Sequence, residues 1–399
     1  MLTPRLSLAR RVTAALDASP SRIPVLVGGC GSGRTTVLRQ LRERFGRGAA
    51  QFIDVERTAT TPERFLQALT AVSPFPVAEA STAGPGSARA AFDATLAFFT
   101  RARTSASEPA TFLLDEVLEL RTFESFPGLR RVQHEFVEGL AGSTNRFVLT
   151  SRYVARAERL LRGRTDEKAA ARFEIIPVPP LAIEDIIDIL GPIEHGAGDA
   201  HDGPEDLART VNALADGRPA YVRALVDELA LMREHGGPGS GDAIGALAAL
   251  LAPDGRLSRQ CAFAYELRLH RARGYGALKA ILEILADEEG LTLTEISQRL
   301  QRTPGSTKDY LSWLEDVDLV ASTQKRYSFT DPLLRVWVRL HCRPSAPTED
   351  DLAREVHRYA LPRLPALDAP KAEPPKSAPK AEPAFAMAGG PPSGIIEID

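Results

Sequence analysis

Along the first half of the chain, short apolar runs alternate with stretches whose apolar residues recur every three to four positions. Strand character falls on residues 24–28, 51–55, 111–115, 146–150 and 173–176, and helical periodicity on 35–44, 62–71, 88–103, 129–140 and 153–162. This alternation predicts a parallel sheet covered by helices. Residues 74–87, rich in Pro, Ala, Gly and Ser, read as a long loop. Beyond the prolines at 177–180 the strand signals stop. Helices are expected over 183–190, 204–215, 220–233, 242–251 and 257–271, with the glycine-rich GGPGSG at 236–241 as a break.

From Tyr275 the pattern changes again, to that of a winged helix-turn-helix. YGALKAILEILADEEG is one amphipathic helix ended by Gly290, and LTLTEISQRLQ opens a second at Thr292 or Thr294. A third follows within TPGSTKDYLSWLEDVDLV, LVASTQKRYSFTD supplies two short strands, and DPLLRVWVRLH closes the unit. Residues 344–399 hold 11 of the 30 prolines and repeat PKAEP twice, a composition that builds no core. The predicted division is a core at 1–180, a helical lid at 181–272, a winged helix at 273–342 and a mostly disordered tail at 343–399. The tail ends in GIIEID, which fits a docking peptide as well as an end without a role.

The chemistry concentrates in VLVGGCGSGRTTVLRQL, residues 25–41. Gly28, four residues, Gly33, a basic residue and Thr35 fit a phosphate-binding loop, with Arg34 where lysine is usual. Gly28, Gly29, Gly31 and Gly33 let backbone N–H groups converge on one anion, with Cys30 and Ser32 between them. The helix that follows presents its free N–H groups to the same anion, so Arg34, Thr35 and Thr36 complete the candidate set. Thr35 offers a hydroxyl to Mg2+. Arg34 reaches toward phosphate as a planar fork, which is not a conservative exchange for a compact ammonium. A ligand-free glycine turn would fit the glycines alone; the flanking strand and helix favour the loop.

A second signal is TFLLDEV, an apolar strand ending in Asp115 and Glu116. Asp115 suits a Mg2+ ligand, and Glu116 suits the base that orients the attacking water. Thr150 and Ser151 end the strand of RFVLTSRY, where a hydroxyl faces either the γ-phosphate or the next helix as a cap. Arg152 and Arg156 follow, as arginine fingers or as solvated side chains. In DGRPAYVRAL, either Arg218 or Arg223 reaches back to the nucleotide as a lid arginine, or the segment is a plain helix–turn–helix connection.

In this order, GGCGSGRTT, LLDEV, FVLTSRY, FEIIPVPPL, ADGRPAYVRAL and DPLLRVWVRLH resemble the archaeal-type ATPases, of the STAND branch of AAA+-related P-loop proteins. The resemblance covers residues 5–342. It implies an ASCE-type α/β core with a helical lid and winged helix, ATP and Mg2+ as cofactors, and phosphate contacts from residues 28–33 and Arg34. It further implies Mg2+ contacts from Thr35 and Asp115, catalysis by Glu116, and sensing by Thr150 or Ser151; a homo-oligomer is left open by the sequence. The departure at Arg34 implies slow turnover.

Composition excludes little else. A net charge of −3 gives no global case for nucleic acid, and Cys30, Cys261 and Cys342 lack metal or disulfide spacing. No run approaches the about 18 apolar residues of a membrane span, and no signal-peptide core is present. A cytoplasmic protein with no membrane partner is expected. Over 275–341 eight basic residues face ten acidic ones, a poor surface for phosphates. A nucleotide-dependent switch acting on a protein partner is therefore preferred to an ATP-responsive DNA-binding regulator, and a scaffold with a decayed ATPase site stands as a third reading.

Overall fold

The computed structural model describes residues 5–76, 86–163, 170–191, 203–235, 242–270 and 274–364. Its center is a sheet of β1 (Ile23–Val27), β2 (Ala50–Asp54), β3 (Thr111–Asp115), β4 (Arg146–Ser151) and β5 (Phe173–Pro177). The strands pair in the order β2-β3-β4-β1-β5, all parallel, so β3 and β4 stand between β1 and β2. All five anticipated strands are present. In β1 and β3 every residue is buried, which is why IPVLV and the FLL of TFLLD run apolar without alternating.

Helices cover both faces. On one, Phe99, Phe112, Phe136 and Phe147 pack edge-to-face and stacked, with ring centroids 4.9–6.3 Å apart. On the other, the N-terminal helix Leu6–Leu16 sets Leu8, Val12 and Leu16 against Leu26, Leu113 and Val148, together with Val37 and Leu38 of the helix Arg34–Phe45. The parallel order brings the carboxyl ends of β1, β3 and β4 side by side, where an open α/β sheet forms its crevice. The loop after β1, the acids ending β3 and the hydroxyls ending β4 meet there.

Among the described residues five helices follow: Ile183–Leu190, Pro204–Ala215, Pro219–Glu234, Ala243–Leu251 and Arg256–His270. A C-terminal unit then runs through helices Tyr275–Asp287, Leu293–Leu300 and Pro304–Asp316. Its small antiparallel sheet joins β6 (Leu291–Thr292), β7 (Val320–Thr323) and β8 (Arg326–Phe329) in the order β6-β8-β7. Of the two candidate caps it is Thr292 that starts the second helix, in a reciprocal capping box with Glu295. The helix Pro332–His341 is two-sided. Leu333, Val336 and Leu340 join the cluster of the five helices, while Leu334, Trp337 and Val338 join the cluster running from the main sheet into the C-terminal unit.

Some elements depart from expectation. The short helix Val55–Thr58 and the 3-10 segment Val117–Ser125 were not anticipated, and the helix expected at 129–140 runs Val132–Gly142. The segment from 343, expected to be mostly disordered, begins with a helix, Glu349–Ala360. Thr348 and Asp351 cap it, and Leu352, Val356 and Tyr359 bury its apolar face. Their helical spacing is diluted when the whole proline-rich end is read as one block. The glycine-rich break at 236–241, the PKAEP repeats and GIIEID lie outside the described residues, as does most of the loop at 74–87. Among the described residues no helix is long and apolar enough to cross a membrane.

Candidate functional site

The loop joining β1 to the helix Arg34–Phe45 owes its shape to Gly31 and Gly33, at φ of 78° and 87°. Gly33 starts the helix with no side-chain cap, so the first N–H groups stay available at the loop. The loop is also closely packed. A Cβ on Gly28 would lie 2.9 Å from Ser32 Oγ, and one on Gly31 would lie 3.0 Å from Ala220 Cβ. The Ala220 N–H donates to the Gly31 carbonyl at 3.2 Å, which seats the start of the helix Pro219–Glu234 on the loop. Thr36, Gly31 and Gly33 share a cleft of about 330 Å³ with Leu181, Ile189 and Pro219.

Arg34 turns back under this loop. Its Nη1 donates to the carbonyls of Gly28 and Gly29, the latter at 2.5 Å, and to Ser32 Oγ at 2.9 Å. Its Nη2 donates to Glu116 Oε1 at 2.6 Å, with both side chains buried. Only a planar fork bridges loop and acid in this way. Glu116 Oε2 accepts from the Arg152 N–H at 3.0 Å, and Arg152 also pairs with Glu56. Burial by itself would raise the Glu116 pKa, but the charges of Arg34 and Arg152 outweigh it and hold the carboxyl below the ordinary range. Glu116 sits at φ 55°, in the left-handed region, and the backbone is thereby turned at the point where the acid leaves the strand.

Asp115 lies between two hydroxyls. Thr35 Oγ1 donates to Oδ2 at 2.7 Å and Thr150 Oγ1 to Oδ1 at 2.5 Å. Burial raises the Asp115 pKa against these hydrogen bonds. Thr150 Oγ1 also accepts from the Glu116 N–H at 2.9 Å, so one threonine joins both acids. Ser151 is used locally: its Oγ accepts from the Tyr153 N–H at 3.0 Å. Of the two hydroxyls ending β4, the geometry brings Thr150 to the acids and leaves Ser151 at the start of the next helix.

Arg218 stands beside the loop, its Nη1 3.3 Å from where a Cβ on Gly29 would be. Its charge is engaged elsewhere. Nη1 donates to Asp331 Oδ2 at 2.7 Å and Nη2 to the Thr330 carbonyl at 2.7 Å. Cys30 Sγ accepts from Arg268 Nη2 at 3.1 Å. Glu56, Arg268, Asp318 and Asp331 were all missed as neighbours of the site. Asp331 was visible in sequence only as the start of DPLLRVWVRLH, and Arg268 gave no signal inside an ordinary helical pattern.

Asp318 fastens the C-terminal unit to the helix Val154–Gly163 by accepting from the Val154 N–H. Burial pushes its carboxyl up to about 6 from an ordinary 3.8. The folded protein therefore favours the neutral acid. The stability this contributes is complete below the unfolded value and is lost as pH rises through about 6. Asp318→Asn has no such loss, and asparagine suits the left-handed φ of 51°. Urea unfolding between pH 4 and 8 should show the parent losing roughly 1–3 kcal/mol relative to the variant across that window; parallel pH profiles would refute the assignment.

No family model matches the chain, and no curated protein matches it. Solved structures do. A Walker-type ATPase of Pyrococcus abyssi superposes with a TM-score of 0.62 at 18% identity, over 85% of this chain and 96% of its own. The ORC2 protein of Aeropyrum pernix, in its ADPNP–ADP complexes, superposes with a TM-score of 0.51 at 16% identity, over 91% of this chain and 95% of its own. At these identities the likeness is one of fold, and with the strand order it establishes an α/β P-loop NTPase core.

Proposed function

We propose that this protein binds ATP with Mg2+ and hydrolyses it slowly, as a nucleotide-dependent switch whose lid and winged helix act on a protein partner. The observation that carries the reading is the convergence of Thr35, Asp115 and Thr150 beneath a glycine loop at the carboxyl edge of the sheet. Thr35 and Asp115 are the residues that would hold Mg2+. A hydroxyl and a carboxylate are hard oxygen donors, and such sites use few protein ligands and leave other positions to water and phosphate. Bound Mg2+ and ATP would supply the reactive phosphoanhydride and neutralise charge on its oxygens. The helix N-terminus after Gly33 would receive the phosphates, and the cleft between Thr36, Leu181, Ile189 and Pro219, which Arg5 and Arg223 also line, offers a seat of about 330 Å³ for the nucleoside.

Glu116 is the residue we assign to positioning the lytic water, and in this structure Arg34 and Arg152 hold it. Slow turnover follows, because a base gripped by two cations is a weak one. The ion pair between Arg218 and Asp331 supports a switch, since it ties the lid beside the loop to the start of the last winged-helix segment. The DNA-binding alternative is less supported. Arg299 is paired with Glu288 at 2.5 Å and Arg326 with the Gly290 carbonyl at 2.6 Å, while Asp316 of the third helix pairs with Arg159 of the core.

Calorimetric titration with ATP and Mg2+ tests the reading. Saturable heat is expected, with unfolding shifted upward by about 2.7 kcal/mol of linkage at a hundredfold excess over Kd. Glu116→Gln should keep that binding and lose turnover. No heat and an unmoved unfolding transition would end the proposal.

A further inference from the structure

We propose that the cleft between the α/β core and the C-terminal unit is a second ligand site, separate from the loop, for a small organic carboxylate with a planar apolar body. The cleft encloses about 490 Å³ and is walled by the 3-10 segment after β3, the helix after β4, the helix Arg256–His270 and the helix Pro304–Asp316. An adjoining hollow shares Arg121 and Arg156 with it, so the two arginines stand where the hollows meet.

The lining is rich in donors. Arg156 donates to Gln133 Oε1 at 3.1 Å, yet among the described residues it has no carboxylate within ion-pair distance. Burial and the like charge of Arg121 push its pKa down to about 10, against the opposing pull of Tyr153, Glu119 and Glu124. Arg121 lies 3.7 Å from Glu124 and holds its guanidinium over the Trp313 ring, 5.8 Å from the centroid. Trp313 Nε1 is buried with no hydrogen-bond partner among the described residues, and so is Nε of Arg268, a side chain only 4% exposed. Glu119 is engaged by the Tyr153 hydroxyl at 3.2 Å.

A carboxylate would meet Arg121 and Arg156 as a planar, fork-matched acceptor. Its body would lie between the Trp313 ring and the apolar side chains of Leu267 and Val317. Glu119 and Glu124 set the charge at one: they oppose a phosphate dianion and leave room for a single negative group. A cation is disfavoured by the arginines.

Calorimetry with naphthalene-2-carboxylate, and with its neutral amide as the matched probe, tests this. The acid should bind with a Kd below millimolar and the amide at least tenfold more weakly, about 1.4 kcal/mol. Arg156→Gln and Trp313→Phe should each weaken the acid by a similar factor, whereas Arg39→Gln, an exposed arginine over Phe52 on the core, should leave it unchanged. If Arg156→Gln does not fold, exposed Arg121→Gln serves in its place. Equal binding of acid and amide, parental affinity in Arg121→Gln, or no heat up to millimolar concentration would each overturn the proposal. None of these readouts depends on nucleotide, so the loop's assignment stands or falls separately.

Discussion

Arg34→Lys is expected to raise ATP turnover at least tenfold, equivalent to about 1.4 kcal/mol off the barrier. The guanidinium now spans two groups with opposite requirements: the loop carbonyls of Gly28 and Gly29, and the buried carboxylate of Glu116 at 2.6 Å. An ammonium carries its donors on one atom and has no fork with which to bridge them. Lysine would therefore stay with the loop or the phosphates and release one of the two cations from Glu116. Arg152 would still orient the carboxylate through its N–H at 3.0 Å. Steady-state phosphate release is the measurement, with Glu116→Gln added to Arg34→Lys as the control that should return the rate to background. An unchanged rate in a folded, ATP-binding Arg34→Lys protein would show that the clamp is not the brake. Turnover seen only in the variant would favour the scaffold reading, in which the parent site has decayed.

The second large effect is expected at Asp331, 4% exposed, which serves two elements at once. Oδ2 accepts from Arg218 Nη1 and from the Tyr221 hydroxyl, each at 2.7 Å. Oδ1 accepts from the N–H groups of Leu333 and Leu334 at 3.1 and 3.2 Å and so caps the helix Pro332–His341. Asp331→Asn keeps the cap oxygen but turns an amide donor toward Arg218 and Tyr221. For an acid Arg218 then keeps only the half-exposed Asp216, 3.4 Å from its Nε, so losing its buried anion costs up to about 3–5 kcal/mol, more than the ~1 kcal/mol of a lost cap. Urea unfolding should show that loss, and Arg218→Gln combined with Asp331→Asn should cost less than the sum of the two single changes. Strict additivity would mean that the pair contributes no coupling.

Much of the core was legible because its signals are local. Five apolar runs spaced by helical periods determine a parallel sheet, and glycines followed by Arg34 and Thr35 mark one edge of it. Asp115, Glu116 and Thr150 were recognisable as strand ends, and strand order places strand ends together. What escaped was long-range pairing of charge. Arg152 was read as a finger or a solvated side chain, yet it braces Glu116; the pairing of Arg218 with Asp331, across 113 residues, had no signal in a segment read either as a lid arginine (Arg218 or Arg223) or as a plain connection. No periodicity reports which buried arginine meets which acid. The helix Glu349–Ala360 escaped for the opposite reason: its signal is local but short, and the proline-rich sequence behind it masked it.

The two-sided helix Pro332–His341 has a mechanical consequence. One flank packs in the cluster of the preceding helices and Glu349–Ala360, the other in the sheet-facing cluster. A rotation that lifts this segment from the sheet-facing cluster carries the helices packed on its other flank, Glu349–Ala360 among them, with it. The seam then runs along Leu334, Trp337 and Val338, with Asp331 at its start.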